Sequence, residues 1–251
     1  MTYYDDLIKD EKRISVFKKA ILEKAKGITY DLGTGSGILA SFASEKAEKV
    51  YAYEINPLVI KHYTKKSLKK YSNIQIIEAD ASTYKFSENA DVIICEMLDT
   101  ALIDEEQVPV INNVQNYTKE NTIFIPHSTY DTIQVGNSNI NHITYKEYGD
   151  VQFKALSDEK IYNEVKFSEK INPNFKNRIK IKTNSSGTIN TILITTYTRV
   201  TEELITEPTP MLNPPLLIPL NEKKVNEGDT IIIQLEYIMG GGLNTIKANI
   251  K

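Results

Sequence analysis

The feature that most constrains this chain is the segment YDLGTGSG at residues 30–37, followed directly by ILASFASEKA. It reads as a buried strand, an acid, three glycines at alternate positions and then a helix over roughly residues 36–47. Gly33, Gly35 and Gly37 lack a Cβ and tolerate positive φ, so the backbone can turn sharply at the strand end and lie against a ligand. The helix that follows directs its free N–H groups to the same place.

Three interpretations of this loop compete. A phosphate-binding loop of the form GxxxxGK[ST] requires a Lys that the segment lacks. A dinucleotide fingerprint requires GxGxxG, but counting from Gly33 places Ile38 at the third glycine position. A glycine-rich turn without a ligand stays open. The spacing DxGxGxG favours a site for S-adenosylmethionine, with the amino-acid moiety of the ligand against the glycines and Asp31 near its sulfonium and amino groups.

Acids follow two more predicted strands. Glu54 ends the strand KVYAYE about 20 residues after the glycine loop, where a carboxylate can accept both ribose hydroxyls. Asp80 ends IQIIEAD, where it can accept the adenine amino hydrogens while the Ala81 N–H donates to a ring nitrogen. A single acid at a strand end is usually a cap for the next helix. Acids at three strand ends along one sheet edge favour a shared donor site, because ligands of open α/β sheets bind there.

The order of elements predicts a two-part fold. A helix over residues 5–26, with Gly27 as its cap, precedes strands at 28–32, 49–55, 74–79, 90–96 and about 122–126. Alternation with helices predicts a doubly wound, mostly parallel, Rossmann-like α/β sheet. After Pro126, short β-rich runs separated by NSSG, NEGD and GGG predict an antiparallel β-barrel or sandwich. We therefore predict a helical lid at 1–27, a donor-binding domain at 28–127 and a β-barrel-like substrate domain at 128–251.

Composition narrows the function. The 251 residues make one large domain or two small ones, and the net charge of −3 gives no global reason to bind nucleic acid or an anionic membrane. The lone Cys95 excludes a disulfide framework and a cysteine-rich zinc site, and the three histidines show no metal-ligand spacing. With no signal peptide and no apolar run of spanning length, we expect a cytoplasmic protein without a metal or a membrane partner.

An acidic loop follows the fourth predicted strand. Glu96 leaves the strand end beside the predicted donor site, and Glu105 and Glu106 come far enough along for the loop to return to the same cleft. Two carboxylates facing one pocket would bind a guanidinium and leave a nitrogen lone pair available for in-line attack on the methyl group. In the alternative interpretation, residues 104–106 are an acidic first helical turn stabilised by the helix dipole.

Taken in order, these motifs resemble the protein arginine methyltransferase family. LIKDEKR at 7–13 is similar to its opening helix motif, DLGTGSG to its donor loop, CEMLDTALIDE at 95–105 to its double-glutamate loop, and FIP at 124–126 to its junction with the β-barrel. The resemblance implies S-adenosylmethionine as cofactor, Arg13 on the donor carboxylate and Asp10 in the acceptor pocket. It also implies catalytic roles for Glu96 and Glu105, with Glu106 as the neighbouring candidate.

The chain departs from this family at the acceptor side. The family has a Thr-His-Trp loop, for which MLNPPLLIP at 211–219 is the equivalent here, with Asn213 in place of His and Pro214 in place of Trp. Met97 replaces an aromatic residue, and the β domain is too short for the helical dimerisation arm. A protein substrate methylated on arginine or a similar nitrogen is the first hypothesis. RNA methylation and a non-catalytic donor-binding regulator remain the alternatives, and the oligomeric state stays open.

Overall fold

The first half of the chain is a parallel sheet flanked by helices. The computed structural model describes residues 3–146 and 151–251. The helices are α1 (Tyr3–Lys9), α2 (Glu11–Lys24), α3 (Ile38–Ala43), α4 (Pro57–Val59), α5 (Lys65–Leu68) and α6 (Gln107–Val114), with a π-helix at Ile60–Thr64 between α4 and α5. The first strands are β1 (Ile28–Leu32), β2 (Lys49–Glu54), β3 (Ile74–Glu78), β4 (Ala90–Cys95) and β5 (Thr118–Ile125).

The five strands lie in the order β3-β2-β1-β4-β5, and every adjacent pair is parallel. Successive strands proceed from β1 to one side and then continue with β4 on the other, so the strand order reverses between β1 and β4. A crevice forms outside the carboxyl ends of the strands at such a switch point. The predicted Rossmann-like sheet is confirmed, and it brings the three acid-bearing strand ends to one edge.

The second half consists of antiparallel strands: β6 (Ser128–Ser138), β7 (Thr144–Tyr145), β8 (Phe153–Ala155), β9 (Lys160–Lys166), β10 (Asn174–Lys182), β11 (Gly187–Arg199), β12 (Ile205–Thr206), β13 (Leu216–Val225), β14 (Thr230–Ile238) and β15 (Lys247–Ile250). One sheet has the order β7-β13-β11-β6-β8, with β9 on β6 and β12 on β11, and the other has the order β10-β14-β15. These open sheets favour the sandwich alternative over a closed barrel. Parallel pairing ends at Ile125 and antiparallel pairing begins at Ser128, with a cis Ile125–Pro126 peptide between them, and the domain boundary after residue 127 stays a prediction.

The predicted single helix over residues 5–26 is wrong, because the chain forms two helices separated at Asp10. Asp10 has the non-helical ψ of 82°, and its carboxylate accepts a hydrogen bond from the Arg13 backbone N–H at 3.0 Å. An N-cap of this kind starts a new helix by satisfying a free N–H of its first turn. Helix α2 then ends at Lys24, so Ala25 rather than Gly27 is its C-terminal cap.

Two other predictions need correction. The helix after the glycine loop covers only Ile38–Ala43, because Gly37 is its N-cap in the left-handed region at φ 83° and residues 44–46 form a turn. The segment at 211–219, interpreted as a loop, contributes its last four residues to β13. Pro219 disfavours a strand prediction for this segment, because proline is uncommon inside strands. In the structure Pro219 pairs with Thr191 beside a register shift, which is a position where a strand tolerates proline.

Within residues 3–146 and 151–251, no helix combines the length and apolar character needed to cross a membrane. The same part of the chain holds no group of three or more His, Cys, Asp or Glu side chains arranged to bind a metal ion.

Candidate active site

A cavity of about 330 Å³ lies at the carboxyl edge of the parallel sheet. Its size is within the range typical of small-molecule sites. Its walls come from the loops after β1, β2, β3 and β4, from the α1–α2 region through Leu7, and from the second half through Met211. The predicted site residues that line it are Arg13, Asp31, Gly33, Gly35, Glu54, Asp80, Ala81, Glu96, Glu105 and Glu106. Asp10, Gly37 and Asn213 are not part of this lining.

The glycine loop is held by hydrogen bonds to the end of β2 and from the π-helix. The Thr34 N–H donates to the Tyr53 carbonyl at 2.8 Å, and the Gly35 N–H donates to the Glu54 carboxylate at 2.9 Å. From the π-helix, the Thr64 hydroxyl donates to the Gly35 carbonyl at 2.7 Å. The π-helix, which sequence reading missed, therefore helps to fix the loop, in keeping with the frequent occurrence of π-bulges at functional sites.

Two of the glycines are required by the packing of the protein itself. Both have positive φ, 71° at Gly33 and 83° at Gly37. A Cβ on Gly33 would lie 2.6 Å from the Met97 Sδ, and a Cβ on Gly37 would lie 2.8 Å from the Leu68 Cγ. Gly33 thus permits the close approach of the acidic loop to the cavity, whereas Gly37 permits the packing of α5 behind it.

The three acids at the strand ends lie in different environments. Asp31 is 1% exposed and accepts the Thr34 hydroxyl at 2.5 Å; burial raises its pKa to about 6. Glu54 accepts the Gly35 and Asn56 N–H groups, one on each oxygen, at 2.9 Å. Each of its oxygens keeps a lone pair for a ligand hydroxyl.

Asp80 forms a local turn in addition to lining the cavity. Its carboxylate accepts the Ser82 N–H at 2.8 Å and the Ser82 hydroxyl at 2.6 Å, and these bonds lower its pKa. This is the capping role open to any acid at a strand end. The neighbouring Ala81 is buried in the cavity wall, and its carbonyl accepts the Asn113 side-chain amide at 2.8 Å.

Glu96 forms an ion pair with Arg13 inside the cavity. The two side chains are 9% and 4% exposed. Arg13 Nη1 donates to Glu96, Arg13 Nη2 donates to the Leu7 carbonyl at 2.8 Å, and Arg13 Nε is buried without a partner. Burial raises the pKa of Glu96 to about 7, with Asp31 and Glu105 adding to the rise and Arg13 opposing it.

Glu105 and Glu106 lie at the exposed mouth of the same cavity. Partial burial and the neighbouring acids Asp104 and Glu106 raise the pKa of Glu105. The acidic residues precede helix α6, which begins at Gln107 and has no acid in its first turn. The alternative in which residues 104–106 form that turn is therefore wrong.

Two residues that hold the acidic loop were missed in the sequence. The Gln107 amide donates to the Cys95 carbonyl at 2.7 Å and accepts the Met97 N–H at 3.0 Å, so it fixes the backbone on both sides of Glu96. Asp99 is 5% exposed and accepts the N–H groups of Ile103, Asp104 and Glu105 at 2.7–3.2 Å. The position of Gln107 directly after the acidic residues was a weak indication that it holds their loop. Nothing in the sequence indicated that Asp99 is buried and structural while the acids that follow it are exposed.

Two predicted acceptor residues are engaged elsewhere. Asp10 caps α2 and accepts the Thr209 hydroxyl, so its carboxylate joins the N-terminal helices to the β-rich half. Asn213 is fully buried at φ 52°, and its amide donates to the Thr198 hydroxyl at 2.8 Å. Their predicted roles in acceptor binding stay predictions.

Comparison with known proteins identifies the class. A family model described as a methyltransferase domain matches residues 30–121, the segment that contains the glycine loop and the acidic loop. Among solved structures, the Trypanosoma brucei PRMT1 enzyme-prozyme heterotetrameric complex with AdoHcy matches with a TM-score of 0.77 at 14% identity. The match covers 91% of this chain and 85% of that one. Fold and site thus define a class I methyltransferase that uses S-adenosylmethionine as its cofactor.

Relatives by sequence give the family. Uncharacterized proteins of Methanocaldococcus jannaschii and Methanothermobacter thermautotrophicus are 43% and 38% identical over 255 and 248 residues, covering 99% of this chain and 96% and 97% of theirs. A probable histone-arginine methyltransferase 1.3 of Arabidopsis thaliana is 26% identical over 117 residues, which are 43% of this chain and 22% of that protein. The chain belongs to the family of these archaeal proteins.

The buried acids predict how stability depends on pH. The pKa values of Asp31, Glu96 and Asp99 are raised to about 6, 7 and 7, above their values in an unfolded chain. The folded state therefore binds more protons between about pH 4 and 8, and stability falls as pH rises through that window. We expect the Tm of the ligand-free protein to fall from pH 5 to pH 8, with a shallower slope in Glu96→Gln. A rising Tm, or equal slopes, would contradict this assignment.

The packing of Gly33 predicts an effect on donor binding. Gly33→Ala adds a Cβ against Met97 at a positive φ, where an L-residue costs roughly 1–2 kcal/mol, so we expect the loop to shift out of its binding conformation. Affinity for S-adenosylhomocysteine, measured by calorimetry, should fall by about tenfold or more. Gly228→Ala is the matched control, because Gly228 has φ 88° and a Cβ added there would meet no atom within 4 Å. An equal affinity loss in both variants would contradict the prediction.

Proposed function

We propose that this methyltransferase transfers the methyl group to a side-chain nitrogen of a protein, with arginine as the favoured acceptor. The observation that carries the proposal is the presence of two carboxylates from one loop, Glu96 and Glu105, in the cavity that also contains the glycine loop. A guanidinium is planar and cationic, and paired carboxylates match both its charge and its fork of N–H donors.

The donor side is proposed to hold S-adenosylmethionine through residues already in the cavity wall. Arg13 has a buried Nε without a partner, and a ligand carboxylate would satisfy it. Asp31 offers negative charge at the end of β1, and Glu54 offers free lone pairs to ribose hydroxyls. S-adenosylmethionine supplies an electrophilic methyl group on a positively charged sulfur.

Glu96 and Glu105 are proposed to act on the acceptor. An incoming guanidinium adds positive charge beside Glu96 and thereby favours its ionised form despite burial. Two carboxylates attract the positive charge of the guanidinium and fix the orientation of the group. The terminal nitrogen that faces the methyl group then has a lone pair available for in-line attack. Glu105, at the cavity mouth, is in the position to meet the acceptor first.

An RNA acceptor has less support from the site. Three consecutive acids, Asp104, Glu105 and Glu106, are exposed at or beside the cavity mouth and would repel a phosphate backbone. The basic residues of the segment at 61–70 lie on the π-helix, on α5 and directly after α5. This segment bonds to the glycine loop through the hydroxyls of Thr64 and Ser67.

The roles of the glutamates predict a separation of turnover from donor binding. Glu96→Gln and Glu105→Gln keep the side-chain size but remove the charge, and we expect each to lower turnover by about a hundredfold or more. In Glu105→Gln, affinity for S-adenosylhomocysteine should change by less than about threefold, because this carboxylate serves the acceptor, whereas Glu96 also pairs with Arg13. Asp104→Asn is the matched control, since it removes an exposed neighbouring charge outside the cavity lining. Unchanged turnover in both glutamate variants would place the acceptor elsewhere.

The acceptor class is tested by methyl transfer into a cell lysate. Radiolabelled S-adenosylmethionine and the purified protein are incubated with untreated, nuclease-treated and protease-treated lysate. We expect labelling to survive the nuclease and to be lost after protease treatment. Labelling lost only with the nuclease would favour RNA, and donor binding without any labelling would favour the non-catalytic regulator.

A further inference from the structure

The acidic loop is held in a conformation that its own residues disfavour. Ala101 and Leu102, in the middle of the loop, have φ of 57° and 58°. Left-handed backbone is uncommon for residues other than glycine and costs free energy unless the surroundings impose it. The imposed conformation lies between Glu96 and Glu105 along the chain, so it contributes to the placement of both carboxylates.

The surroundings that impose it belong to the β-rich half. The Gly240 N–H donates to the Leu102 carbonyl at 2.8 Å, and the Thr100 hydroxyl donates to the Pro214 carbonyl at 2.7 Å. At the centre, the Ala101 N–H donates to the Thr196 hydroxyl oxygen at 2.7 Å. Thr196 lies on the long strand β11, and its side chain thus bonds directly to the backbone of the kink that Ala101 and Leu102 form.

A buried carboxylate orients that hydroxyl. Thr196 in turn donates its proton to Asp131 Oδ1 at 2.6 Å, and the Asn163 amide donates to Asp131 Oδ2 at 3.0 Å. Because a hydroxyl has a single proton, donating it to Asp131 leaves the oxygen lone pairs directed at the Ala101 N–H. Asp131 and Thr196 are 1% and 0% exposed, so solvent does not compete for these bonds.

Burial of the Asp131 carboxylate is unfavourable in free energy. Its hydrogen-bond partners are a hydroxyl and an amide rather than a cation, and burial raises its pKa to about 6. Burial raises the pKa values of the nearby Tyr162 and Tyr237 hydroxyls, and the Asp131 charge adds to the rise. A buried charge without a counter-ion lowers stability.

We propose that Asp131 and Thr196 are positioning residues of the methyl-transfer site. Acting through Ala101, they fix the kink of the acidic loop and so orient Glu96 and Glu105 toward the acceptor. This inference rests on the proposed function of the two glutamates. According to this inference, buried residues of the β-rich half determine the geometry of the site at the edge of the parallel sheet.

The test compares three variants, two of which remove a buried hydroxyl and one of which keeps it. Thr196→Val keeps the shape but removes the hydroxyl, Thr196→Ser keeps the hydroxyl, and Thr132→Val is the matched control. Thr132 is buried next to Asp131, and its hydroxyl donates to the Thr195 carbonyl at 3.3 Å, away from the acidic loop. We expect Thr196→Val to lower kcat by about tenfold or more, with donor affinity within about twofold of wild type. Thr196→Ser and Thr132→Val should stay within about threefold of the wild-type kcat.

Amide hydrogen exchange of residues 100–105 gives a second readout that needs no turnover. We expect exchange in this segment to be faster in Thr196→Val than in Thr132→Val. Unchanged exchange, or equal losses of kcat in these two variants, overturns the inference, and so does faster exchange with full turnover. Full turnover in Glu96→Gln and Glu105→Gln would instead refute the proposed function, while exchange still reports whether Thr196 holds the loop. If Thr196→Val does not fold, Asp131→Asn replaces it, with the same expected direction.

Discussion

The constraint on which this molecule depends is the gathering of carboxylates at one edge of a parallel sheet. Because the carboxyl ends of β1 to β4 meet there, Asp31 and Glu96 share one cavity wall with Arg13, the buried cation that pairs with Glu96. Burial raises the pKa of both acids, so their ionised forms lower the stability of the fold as the pH rises. Raised pKa values of this kind are expected of a site that receives positive charge, in this case the sulfonium of S-adenosylmethionine.

The two halves of the chain divide the work of the site. The loops of the parallel sheet form the donor cavity. The antiparallel half holds the acidic loop through hydrogen bonds with Thr196, Pro214 and Gly240. The N-terminal helices join both, because Asp10 caps α2 and also accepts the Thr209 hydroxyl. A change deep in the β-rich half can therefore reach the acidic loop through these hydrogen bonds.

Sequence reading was most successful where function depends on residues close together in the chain. The glycine loop, Glu54 and Glu96 each follow a strand, and the parallel order of those strands brings them into one cavity. It was least successful where a contact joins distant segments. Asn213 occupies a position matched by family resemblance, yet its amide is bonded to Thr198 and it lies outside the cavity lining. Strand β13 was missed because its proline and the preceding Pro-Pro pair favour a loop locally.

The sequence by itself determined the Rossmann-like sheet, the S-adenosylmethionine class of the site and the strand-end acids, because periodicity, glycine spacing and strand ends are local properties. The tertiary structure alone decided that Arg13 pairs with Glu96 and that the helix breaks at Asp10. It also decided that a carboxylate at residue 131 supports a backbone kink at residue 101. These are matters of which groups are buried together, and burial sets both the strength of a hydrogen bond and the pKa of an acid. No local pattern specifies which distant side chain will complete a buried network.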